Sequence, residues 1–160
     1  MERTSRGSIC SLTSWAFVIV VAFSFWNGRS ESAAKRVALV IGNGAYSSSP
    51  LRNPPNDARD VSSAFSNLGF EVIELTDAHK GAFLHALDDF SDKLRLAEAG
   101  LFYFAGHGMQ IRGQNYLLPV RVHVRRESDV EYEAVNANRV LAAMEEAGSE
   151  VNISRTSSSE

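Results

Sequence analysis

Three consecutive residues carry the clearest chemical promise in this sequence: Gly106, His107 and Gly108, inside "LFYFAGHGMQ" at 101–110. Histidine is the side chain whose ordinary pKa lies nearest neutrality. It can take a proton from a nucleophile and return it to a leaving group. A glycine on each side leaves the imidazole unobstructed and permits backbone angles that other residues avoid. The remaining histidines, His79, His85 and His123, do not stand at metal-ligand spacing, so no metal is expected. A base needs a group to activate. The one cysteine is Cys10, in an apolar N-terminal stretch, and it can form no intrachain disulfide.

The elements around His107 follow from the pattern of apolar residues. "RVALVIG" at 36–42 is a short β-branched run ending in glycine, which predicts a fully buried parallel strand. "NGAYSSSPLRNPP" is loop chemistry. Asn56 or Asp57 is expected to cap the next helix, with Val61, Ala64, Phe65 and Leu68 on one face and Gly69 as its stop. "FEVIEL" at 70–75 alternates as a strand does. Thr76 or Asp77 is expected to open a second helix, with Phe83, Leu84, Leu87, Phe90 and Leu94 facing inward. "LFYF" then reads as a third buried strand. Strand and helix in alternation predict an α/β fold with a mostly parallel sheet and helices on both faces. In open sheets of this kind, ligand and catalytic groups sit at the carboxyl ends of strands, where His107 falls.

"MQIRGQNYLLPV" at 109–120 predicts a small hairpin. A later helix is expected to start at Asn136 or Asn138, face inward with Val140, Leu141 and Met144, and end at Gly148. "VNI" at 151–153 begins like a fourth buried strand, but the polar "SRTSSSE" at 154–160 reads as a disordered tail. At the other end, Arg3 and Arg6 precede the uncharged, mostly apolar run 9–26, and small residues follow near Ala33 and Ala34. Residues 1–34 are therefore expected to be a cleaved export signal, with a membrane anchor as the alternative. Export would deliver the rest of the chain to the periplasm or the cell exterior. The net charge of −3 gives no footprint for nucleic acid.

"RVALVIGNGAY", "LRNPPNDARD", "LGFEVIEL", "LFYFAGHGMQ" and "NYLLPV", in this order and spacing, resemble the large-subunit domain of the caspase-like cysteine peptidases. The bacterial metacaspase-like branch is the most similar. The resemblance covers 36 to about 153, within an expected domain of 35–153. It implies a three-layer caspase-like sandwich and a histidine–cysteine dyad, with no cofactor. His107 matches the family's catalytic histidine. Gly108 matches the position whose backbone N–H helps hold the oxyanion. Asp57 matches a carboxylate of the acidic pocket that receives an Arg or Lys side chain of a peptide substrate. Some metacaspases depend on calcium, but no calcium-loop pattern is present in this sequence.

The family's cysteine follows its fourth strand. A caspase-type spacing of about 50 residues from His107 falls near position 157, within the polar tail, where no cysteine stands. Ser154, Ser157, Ser158 and Ser159 offer hydroxyls without a rigid mount. The expectation is a truncated, inactive peptidase domain lacking its fourth central strand, whose exposed sheet edge would pair with a second copy. The alternatives are a non-catalytic secreted binding module and a gene fragment without function. "VALVIGNGAYS" also imitates a dinucleotide fingerprint, but Ser and Pro follow where a helix should start.

Overall fold

The computed structural model of the protein describes residues 17–19 and 35–156, with side chains for 35–147. The expected export segment at 1–34 therefore lies outside the described residues, except for the backbone of 17–19. The main sheet has four strands: β1 (Phe17–Ile19), β2 (Arg36–Gly42), β3 (Phe70–Thr76) and β4 (Ala99–Ala105). Their order is β1-β4-β2-β3. β2 pairs in parallel with both β3 and β4 along its whole length, from Arg36 opposite Phe70 and Ala99 to Gly42 opposite Thr76 and Ala105. β1 adds three antiparallel residues, Phe17 opposite Phe104 through Ile19 opposite Phe102. That short strand lies on the edge of β4 that the sequence reading left open.

The central position of β2 explains its unbroken apolar run. From Val37 to Gly42 every residue is buried, so both faces of the strand need hydrophobic side chains. β3 is the outer strand, with no fully buried residue and with Glu71, Glu74 and Thr76 exposed. Helix α1 (Pro54–Asn67) covers one face through Ala58, Val61 and Phe65, packed on Ala38, Val40 and Tyr103. Helices α2 (Lys80–Leu94) and α4 (Ala137–Thr156) cover the other. There Phe83, Leu87 and Phe90 meet Leu39, Ile41, Phe102, Phe104 and Val140 in the largest core cluster. The Phe83 and Phe104 rings stack at 5.9 Å. The result is a three-layer sandwich.

Past β4 the chain forms a second small sheet from β5 (Gly108–Ile111), β6 (Gln114–Leu117) and β7 (Val135–Asn136). The expected hairpin is β5–β6. Its two turn residues, Arg112 and Gly113, have φ of 49° and 77°, the signature of a tight hairpin turn that matches strand twist. A short helix, α3 (Glu127–Glu133), leads into β7.

Three boundaries and one helix face differ from the sequence reading. α1 is capped three residues before Asn56 and four before Asp57: Asn53 is its N-cap, and Pro54 and Pro55 occupy the first turn. Proline lacks the N–H that a first-turn residue has no partner for, so it suits that place. Gly69, at φ 82°, closes α1 as expected. Along α1, Ala64 and Leu68 turn outward instead of joining the inward face. α2 is capped by His79, whose Nδ1 accepts from Ala82 N at 3.2 Å, and not by Thr76 or Asp77. Finally, "VNI" does not open a strand. α4 continues through Gly148 and residues 151–153 to Thr156, so the helix carries Ser154 as well. Apolar runs of three residues do not distinguish strand from helix, and the helix already begun at Ala137 extends through this one.

Candidate active site at the carboxyl end of strand β4

Three loops meet beyond the carboxyl ends of β2 and β4, and three polar side chains hold them: the buried Asn43 and Tyr46 and the exposed Asp77. Asn43 directly follows β2 and is fully buried. Its Oδ1 accepts from Ala78 N at 2.8 Å, and its Nδ2 donates to Leu118 O at 3.2 Å and Ala78 O at 3.4 Å. One amide thus ties the β2 loop, the start of α2 and the segment after β6 together. Asp77, at φ 53°, accepts from Gly44 N at 2.7 Å and Ala45 N at 2.8 Å, which holds the β2 loop in its turn. Tyr46 is buried in that loop. Its hydroxyl donates to Leu118 O at 2.8 Å and accepts from His107 N at 3.0 Å. Burial pushes the Tyr46 phenol up to about 12, against the opposing pull of the His107 N–H.

His107 follows β4 after Gly106 alone. Gly106 has to be glycine: a Cβ there would stand 2.6 Å from the Tyr46 hydroxyl and 2.8 Å from Phe104 Cζ. The His107 ring leans on the Tyr46 ring, centroids 4.4 Å apart. Its Nε2 lies 2.7 Å from Ser49 O. A carbonyl oxygen only accepts, so Nε2 must carry the proton. Nδ1 is then the basic nitrogen. It is buried, and it has no hydrogen-bond partner among the described residues. Leaving such an acceptor unpaired costs about 1–3 kcal/mol, which a structural histidine would avoid. The arrangement is an oriented imidazole with its lone pair held open for another group.

His107 also lines a cleft of about 520 Å³, with Tyr46, Ser49, Met109, Leu118 and the 121–127 segment among its walls. Gly108 is the first residue of β5, half-buried beside the histidine. Asp57 stands elsewhere. It is exposed on the first turn of α1, its N–H bonded to Asn53 O at 2.9 Å, and it does not line the cleft. After burial, its charge is the second cause raising the pKa of Tyr103 on β4, so the carboxylate faces the α1 side of the sheet. Ser154 lies on α4, while Ser157 to Ser159 and Cys10 lie outside the described residues. Among the described residues no thiol faces Nδ1, and no group of three His, Cys, Asp or Glu could hold a metal ion.

Tyr46, Asn43 and Asp77 were not singled out as site residues from sequence. Two signals were present: a lone aromatic within a Gly/Ser/Pro loop, and an amide side chain directly after a buried strand. Asp77 gave none beyond its place as a cap candidate.

A parallel three-strand core flanked by helices, with an imidazole mounted past the end of a central strand, defines a caspase-like α/β sandwich. The caspase domain, Peptidase_C14, matches residues 35–153, and the chain belongs to that family. It is also 35% identical over 89 residues to mucosa-associated lymphoid tissue lymphoma translocation protein 1 of Homo sapiens and to its Mus musculus homolog. Those matches cover 55% of this chain and 11% of each relative, so the chain corresponds to a small part of them.

Proposed function

We propose that this chain is the histidine-bearing part of a cysteine endopeptidase domain of the metacaspase-like kind. The observation that carries the reading is the unpaired, buried Nδ1 of His107, with Nε2 anchored on Ser49 O. In this reading Nδ1 accepts the proton of a cysteine thiol, and the thiolate attacks the peptide carbonyl. The same nitrogen's proton then goes to the leaving amine. Nε2 keeps its bond to Ser49 O throughout, so the ring does not rotate away as its charge changes. The Gly108 N–H supports the oxyanion, a contact worth roughly 3 kcal/mol to a transition state. In this reading Asp57, exposed on the first turn of α1 and outside the cleft beside His107, is the carboxylate offered to the Arg or Lys side chain of the substrate.

The 160-residue polypeptide itself binds such peptides without cleaving them, because its one cysteine, Cys10, belongs to the apolar N-terminal stretch. The test is hydrolysis of an Arg- or Lys-ended fluorogenic peptide. The expected rate equals that of His107→Ala, while binding of the peptide weakens in Asp57→Ala. Turnover that a thiol reagent abolishes would overturn the inactivity. Residues 1–34 act as the export signal in this reading, and an exported product beginning near Ala34 on N-terminal sequencing is the expected result. Removal of that segment takes β1 with it, and a second copy then pairs along β4, visible as a dimer by sedimentation.

A further inference from the structure

The cleft beside His107 has a charge opposite to that of the chain. The protein carries a net charge of −3, yet Arg112, Arg121, Arg125 and Arg126 line this cleft against a single lining carboxylate, Glu127. Glu127 reaches Arg112 Nε only at 3.9 Å, with both side chains largely exposed, so it neutralises little. Two of the four arginines stand where an L side chain is strained: Arg112 has φ 49° and Arg121 φ 65°. Glycine or asparagine would fit both places with less strain. The other two are fixed by their backbone. Asp129 Oδ2 accepts from Arg125 N at 3.0 Å and Arg126 N at 2.9 Å, which holds its carboxyl below the usual range and pins the segment at the rim.

We propose that this arginine-rimmed cleft binds an acidic peptide segment, one rich in Asp and Glu. A peptide fits better than a free anion because the cleft is apolar between the charges, with Met109, Ile111, Leu118, Val122 and Val124 in its walls. Single-stranded nucleic acid needs aromatic platforms for stacking. The one aromatic wall residue, Tyr46, is buried and held by His107 N and Leu118 O. Guanidinium groups stay charged at every accessible pH and take carboxylates two bonds at a time, so the preference follows the ligand's ionisation. The inference deepens the proposed function and rests on it in one respect, that the ligand at this cleft is a peptide. The recognised segment would then place acidic residues next to His107, on an element separate from Asp57.

The test is fluorescence anisotropy of a labelled Asp/Glu peptide and of its Asn/Gln counterpart against the full chain. The acidic peptide is expected to bind at least tenfold tighter, and the advantage is expected to shrink as salt rises. Arg121→Gln together with Arg125→Gln is expected to remove most of that difference. Glu127→Gln is expected to tighten binding. Equal affinity for the two peptides overturns the proposal, as does an acidic preference that survives the arginine substitutions. An oligonucleotide that binds tighter than the acidic peptide overturns it too. Failure of Asp57→Ala to weaken an Arg-ended peptide bears only on the proposed function, so the two readings fail separately.

Discussion

Replacing Tyr46 with phenylalanine removes one oxygen and leaves the ring that supports His107 in place. That oxygen has two bonds, from His107 N at 3.0 Å and to Leu118 O at 2.8 Å. Leu118 O keeps the Asn43 amide at 3.2 Å, so its loss is small. The His107 N–H keeps no acceptor that the structure shows, and a buried unpaired donor costs about 1–3 kcal/mol. Tyr46→Phe is therefore expected to lower the free energy of unfolding by about 2 kcal/mol in urea titrations near neutral pH. A second arm uses alkali. The phenol's pKa is raised from 10 to about 12 in the folded chain, so the folded state favours the neutral form. That contribution is fully present below pH 10 and is lost as pH rises through about 12; it amounts to about 3 kcal/mol. The wild type is thus expected to lose this stability across that window, and the variant to lack that component of the loss. A variant within about 0.5 kcal/mol of wild type, with the same alkaline slope, would refute the placement of the hydroxyl.

Other perturbations test the frame around the site. A Cβ on Gly42 would collide with Pro54 O and lie 2.6 Å from Ala58 Cβ, both on α1. Gly42→Ala is expected to cost more than about 2 kcal/mol in a denaturant titration, since backbone cannot move aside as a side chain does. Asp77→Ala frees Gly44 N and Ala45 N and leaves alanine at φ 53°, so about 1–3 kcal/mol is expected. Asp77→Asn retains an acceptor and is expected to cost clearly less; equal losses in thermal unfolding would contradict the role given to the carboxylate.

Much of this architecture was legible because burial writes itself into composition. β2 is covered on both faces, and its unbroken apolar run says so; β3 is an edge strand, and the exposed Glu71 and Glu74 within it say so. The parallel α/β sheet and the position of His107 past β4 followed from that order, while the caspase-like sandwich followed from the resemblance of the quoted motifs to that family. The β5–β6 hairpin was announced by Gly113 between two apolar pieces. What stayed hidden were contacts between distant loops. Asn43 reaches Leu118, and Tyr46 reaches both Leu118 and His107, across separations that periodicity does not register. Asp77 looked like a helix cap because a cap and a loop tie use the same acceptor. The tautomer of His107 was equally out of reach, since it depends on Ser49 O arriving from another loop. The four cleft arginines are scattered over 112–126 and converge only when the hairpin turns back.

The central claim is that His107 presents a free basic Nδ1 while Nε2 holds its proton against Ser49 O. Nitrogen-detected NMR of the histidine-labelled chain, with His107→Ala for assignment, reads this directly at a pH where the ring is neutral. The account predicts a single tautomer, protonated at Nε2 and unprotonated at Nδ1. A proton on Nδ1, or the averaged signal of an imidazole exchanging between both forms, would contradict it.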